Sequence, residues 1–109
     1  MVLAERRERV PLTTDKHGVV RVAETRVTLD VIVRAFDTGA SPEEIVESFP
    51  TLALPDVYAT ITYILRHRAD VDRYLATQAE KAEALREKIE ERYPTAELRR
   101  KLMAQRATS

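Results

Sequence analysis

The sequence predicts a mainly α protein: a winged-helix or helix-turn-helix-like domain with a short N-terminal β-hairpin and a long C-terminal helical extension. Three observations predict it. A β-branched, turn-bearing opening gives way near Leu29 to apolar residues at helical spacing. The run Gly39-Ala40-Ser41-Pro42-Glu43-Glu44 stops one helix and starts the next. From Ala69 to Tyr93 neither proline nor glycine occurs. The expected organisation is an N-terminal arm over 1–9, the domain over 10–68 and the extension over 69–109.

Val10-Pro11-Leu12-Thr13-Thr14 and Val19-Val20-Arg21-Val22 are β-branched and partly alternating, with Asp15-Lys16-His17-Gly18 between them. Gly18 takes positive φ at no steric cost, so the pair reads as a hairpin. Pro11 confines the first strand to an edge or a strand start. Arg26-Val27-Thr28 offers a third short extended stretch.

Thr28 stands where an N-cap hydroxyl is expected to accept a backbone N–H. Leu29, Ile32, Val33 and Phe36 then fall at i, i+3, i+4 and i+7, one stripe of a helix. Gly39 ends that helix. Ser41 caps the next one, Pro42 sits where its missing N–H costs nothing, and Glu44 closes a capping box. Ile45, Val46 and Phe49 supply its apolar face, and Pro50 closes it. A third helix opens near Leu54-Pro55 and runs to about His67. Val57, Ile61, Ile64 and Leu65 are expected inside, with Tyr58 at the edge and Asp56, Thr60, Tyr63 and His67 outside.

In the extension Val71, Leu75, Gln78, Ala82, Leu85 and Ile89 recur at spacings of 4, 3, 4, 3 and 4. That is a heptad seam with Gln78 and Ala82 as weak knobs. Pro94 breaks it, and Thr95 is placed to cap a last short helix through Leu98 and Leu102.

Composition narrows the function classes. The chain has 109 residues, 44% of them hydrophobic and 6% aromatic, which suits one modest core plus an extension. Lys and Arg number 18, as do Asp and Glu, so the net charge is zero, unlike a strongly basic nucleic-acid binder. The first 53 residues hold seven basic and nine acidic residues, and the remainder eleven and nine. The one clear basic cluster is the tail with Arg99, Arg100, Lys101 and Arg106, which solvation alone also accounts for. The lack of cysteine rules out disulfides, a thiolate nucleophile and cysteine-bound zinc. No stretch reads as a signal peptide or a membrane span, so a soluble, cytoplasmic protein is expected.

No catalytic, metal or cofactor set emerges. His17 and His67 are far apart and lack carboxylates at ligand spacing. Two glycines, Gly18 and Gly39, do not make a phosphate-binding loop. Glu43 and Glu44 are neighbours on a helix and point to different sides. An enzyme is therefore not expected.

The order of these fragments resembles the bacterial and archaeal domain-of-unknown-function 433 family. The residues that carry the resemblance are Gly18, Thr25-Arg26-Val27 with Leu29 and Ile32, and Gly39-Ala40-Ser41-Pro42-Glu43-Glu44-Ile45. They continue through Phe49-Pro50, Leu52, Leu54, Asp56-Val57, Ala59, Ile61, Tyr63 and Leu65, with His67, Val71, Asp72, Tyr74 and Leu75 resembling a common extension. Each fragment is weak alone; their order and spacing over roughly 10–76 are specific. The chain departs from the family in having Glu24 where a glycine usually precedes the Thr-Arg pair, and Ala53 where a Thr or Ser usually caps the last helix.

The resemblance implies a small helix-turn-helix domain, often dimeric. It also implies an antitoxin-like role in a type II toxin–antitoxin pair, with one region on operator DNA and another wrapping a PIN-like ribonuclease toxin. On that reading Leu54 to His67 is the recognition helix. Arg26, Arg34, Thr60, Tyr63, Arg66, His67 and Arg68 are the candidate contacts to double-stranded DNA, with Arg6, Arg7 and Arg9 adding charge. Leu75, Leu85, Ile89, Tyr93, Leu98, Arg99, Arg100 and Leu102 are the candidate contacts to the toxin. A homodimer would use the hairpin edge or the heptad seam, unless the seam folds back on its own core. Against DNA stands the first turn of the recognition helix, which carries Asp56 and no base. The alternative is a protein–protein module that keeps the helix-turn-helix shape without reading DNA.

Overall fold

The computed structural model describes residues 9–92 and 99–104. Its elements are β1 (Leu12–Thr14), β2 (Val20–Val22), α1 (Leu29–Asp37), α2 (Pro42–Ser48), α3 (Leu54–Arg66) and α4 (Arg68–Arg92). The chain is mainly helical with an N-terminal hairpin and a long C-terminal helix, as the sequence predicts. It divides into two compact units, 1–73 and 74–109. The first takes in Val71, which is buried. The N-terminal arm expected over 1–9, with Arg6 and Arg7, and the capping role of Thr95 lie outside the described residues, apart from the exposed Arg9.

The hairpin pairs Leu12 with Val22, Thr13 with Arg21 and Thr14 with Val20, antiparallel. Asp15 builds its turn. Its Oδ1 accepts from the backbone N–H groups of His17 (2.8 Å) and Val19 (3.1 Å), and Gly18 turns the chain at φ 81°. The third extended stretch is reduced to one bridge, Arg21 to Thr28, with Val22 N–H donating to the Val27 carbonyl. The turn after β2 uses Ala23 at φ 51°, a left-handed backbone that a side chain disfavours.

Thr28 stands at the N-cap of α1, but its hydroxyl makes no capping bond, contrary to expectation. Thr28 is extended (φ −92°, ψ 158°) and bridges to Arg21. The helix ends as predicted on Gly39, at φ 95°. Gly39 N–H donates to the Phe36 carbonyl and Ala40 N–H to the Ala35 carbonyl, the paired bonds of a Schellman motif. α2 carries the full capping box: the Ser41 hydroxyl accepts from Glu44 N–H, and the Glu44 carboxylate accepts from Ser41 N–H. α3 starts on Ala53 with no side-chain cap and Pro55 in its first turn.

The core of the first unit sits between the hairpin and three helices. Val22, Leu29, Ile32, Val33, Ile45, Leu52, Val57, Ile61, Ile64 and Val71 are buried. α1, α2 and β2 all pack against α3. α3 is rotated from the expected orientation. Thr60, expected outside, is fully buried, while Leu65, expected inside, is 64% exposed. A stripe centred on Val57 and Ile64 includes Thr60 one turn before Ile64 and leaves Leu65 about 100° away. The Thr60 hydroxyl donates to the Asp56 carbonyl at 2.7 Å, so its burial leaves no orphan donor.

Two glycine exchanges test the turns. Gly39→Ala is expected to cost about 1 kcal/mol from backbone strain alone, since nothing lies within 4 Å of an added Cβ. Ala23→Gly is expected to stabilise by about 1 kcal/mol for the converse reason. Urea denaturation of both variants checks the opposite signs.

Candidate interaction surfaces

The outer side of α3 carries two kinds of group. Leu54, Tyr58 and Leu65 fall at i, i+4 and i+11, on one side, and are 36%, 47% and 64% exposed. Pro55, Thr62 and Arg66 are also exposed. Tyr58 is fixed: its hydroxyl donates to the Glu43 carboxylate on α2. That bond holds the Glu43 carboxyl below its ordinary range and pushes the Tyr58 phenol up. Glu44 is held low by the Ser41 N–H it caps. Glu43, Glu44 and Glu47 are all exposed on α2. From Pro42 to Arg66 the chain carries four carboxylates and a single guanidinium, Arg66. The paired helices thus present an acidic and apolar surface.

The expected DNA contacts scatter across the first unit. Thr60 is excluded, because it is buried and its hydroxyl is bonded within α3. Tyr63 is half-buried and stacks on His67 with ring centroids 4.6 Å apart. His67 ends α3 at φ −124° and ψ 37°, and its Nδ1 lies 3.9 Å from Asp70. Arg26 is exposed in the loop before α1, and Arg34 is exposed on α1. Among the described residues, no hydrogen bond or ion pair joins either side chain to Tyr63, Arg66, His67 or Arg68.

Arg68 is engaged elsewhere. Its guanidinium donates in a fork to both Asp37 oxygens (2.9 and 2.8 Å) and through Nε to Asp72 (3.1 Å). The fork ties the start of α4 to the end of α1, where Asp37 alone would oppose the helix dipole. It holds the Asp37 carboxyl below its ordinary value and raises the Arg68 pKa further. The sequence reading missed Asp37, since the two residues are 31 apart and belong to no local pattern.

Of the expected toxin contacts, Leu75 is half-buried, while Leu85 (59%), Ile89 (49%) and Leu102 (54%) are exposed, as are Arg99 and Arg100. Tyr93 and Leu98 lie outside the described residues. Arg86 pairs with Glu83 at 3.2 Å. Among the described residues no group of three or more His, Cys, Asp or Glu is placed to hold a metal ion. No helix there is long and apolar enough to cross a membrane.

The ordered fragments around these surfaces match one known family, described as "Protein of unknown function (DUF433)", over residues 16–64. That match covers 49 of the chain's 109 residues. The matched segment runs from the hairpin turn through α1 and α2 into the last turn of α3, and α4 lies beyond it. No curated protein and no solved structure matches the chain. The family assignment therefore carries the fold's sequence pattern and leaves the function to the surfaces.

The Asp37–Arg68 fork makes a pH prediction. A carboxyl depressed in the folded state contributes stability above its unfolded value and loses it as pH falls through the folded one. Asp37→Asn is expected to lower Tm at neutral pH, with the gap to wild type closing as pH drops below about 4. Thermal melts of both proteins across that range check it.

Proposed function

We propose that the chain is a non-enzymatic protein-binding module that keeps the helix-turn-helix shape without reading DNA through α3. The observation that carries this is the charge of the paired helices. A recognition helix faces phosphate oxygens and base edges, and meets them with Arg, Lys and amide side chains. Here Glu43, Glu44, Glu47 and Asp56 stand against Arg66 alone. Beside them Leu54, Tyr58 and Leu65 offer the apolar and aromatic surface that protein interfaces favour.

The antitoxin-like role that the family resemblance implies fits this reading on its protein side. A PIN-like toxin is a protein partner, and the exposed residues of α4 offer a separate surface. Autoregulation through operator DNA has less support, since the acidic α2–α3 surface opposes it. For self-association, the outer edge of β1 pairs with no strand among the described residues. The other side of β2 is closed by the Arg21–Thr28 bridge and the Val22–Val27 hydrogen bond.

A salt titration tests the proposal. The full chain is expected to bind the DNA upstream of its own gene no more tightly than random duplex at about 0.15 M salt. Sequence-specific binding whose log–log salt slope reports several phosphate contacts would contradict it.

A further inference from the structure

The second unit carries an apolar stripe with charged margins. On α4, Leu85 and Ile89 are spaced by four and are 59% and 49% exposed. At 100° per residue, Lys81 and Lys88 line one margin of that stripe, Arg86 lies on the other, paired with Glu83 at 3.2 Å, and Arg92 takes the next seam position after Ile89. Glu80, Glu83, Glu87, Glu90 and Glu91 occupy the far side. All of these residues are exposed.

The margins decide the occupant. With Leu85 and Ile89 as d and a of a heptad, Lys81 and Lys88 take g positions and Arg86 an e position. A parallel pair of copies would set Lys81 against the second copy's Arg86. An antiparallel pair would set lysines against lysines. Both arrangements oppose like charges across a seam already weakened by Gln78 and Ala82. Anionic lipid is disfavoured by the carboxylates on the far side of the same helix. What complements the stripe is an apolar surface rimmed with carboxylates.

We propose that the Leu85–Ile89 stripe of α4 docks an amphipathic helix of a different protein, one whose apolar seam is flanked by Asp or Glu. This rests on the protein-binding reading above and adds the chemistry of the partner and the exclusion of a second copy at this seam.

The test uses the full chain and two synthetic heptad peptides with leucine at a and d, one bearing Glu at e and g, the other Lys. Fluorescence anisotropy is expected to show the Glu peptide binding at least about tenfold tighter, as e and g charges set partner choice. Lys81→Glu with Lys88→Glu should reverse the preference. Leu85→Asp should abolish binding, with circular dichroism showing its helix content retained. Equal binding of the two peptides, or no binding of the Glu peptide, overturns the proposal. So does a light-scattering mass of two copies that falls to one in Leu85→Asp, or partition onto phosphatidylserine vesicles. Sequence-specific DNA binding would sink the protein-binding reading whatever the peptides do, whereas these peptide results bear on α4 alone.

Discussion

Burial of the inner side of α3 is the constraint on which the first unit depends. α1, α2 and β2 each pack against it, and Val57, Thr60 and Ile64 are withdrawn from solvent. Burying such side chains stabilises by about 1.5–3 kcal/mol each for the larger aliphatic ones. That fixes the rotation of the helix. Thr60 fits the inside because its hydroxyl has the Asp56 carbonyl as a partner. The same rotation decides what faces outward: Leu54, Tyr58 and Leu65 to one side, with Arg66 as the only cation on the helix. Core and surface are thus set by one angle.

The charges around α3 are largely committed to holding the fold. Glu44 completes the capping box of α2, and Glu43 holds the Tyr58 hydroxyl. Arg68, the nearest strong cation in sequence, is forked onto Asp37 and bonded to Asp72. To place Arg68 on a phosphate would break the fork that joins α1 to α4. To clear α2 of carboxylate would remove the Glu44 half of its capping box. Glu43 and Glu44 of this surface thus serve the fold, and a protein surface meets its acidic, apolar character more readily than a polyanion does.

What the sequence made legible were the features encoded over three or four residues. Gly39, Ser41-Pro42 and Glu44 gave the helix stop and start correctly, because each supplies a backbone or capping property of its own. Asp15 and Gly18 likewise marked the hairpin turn. Tertiary contacts were harder to read. The choice between Thr60 and Leu65 turned on helix rotation, and hydrophobicity alone favours Leu65. Thr28 stands at the cap without a side-chain bond, and Arg68 found Asp37 from far along the chain. The positive φ of Ala23 had no sequence signal, since alanine gives no hint of a left-handed turn. Of the expected surface contacts, the exposed Leu85 and Ile89 were visible as a heptad because nothing within the helix pattern competes with them.

The central claim is that the outer side of α3 meets protein and not DNA. An NMR titration of the isotope-labelled full chain with a random duplex at low salt tests it most directly, because it reports which backbone amides sense the polyanion. The account predicts that any shift changes fall on Arg-bearing segments away from α3, such as those of Arg26, Arg34 and the basic tail. The amides of Tyr58, Thr62 and Leu65 should stay in place. Largest changes running along α3 from Tyr58 to Arg66 would contradict it.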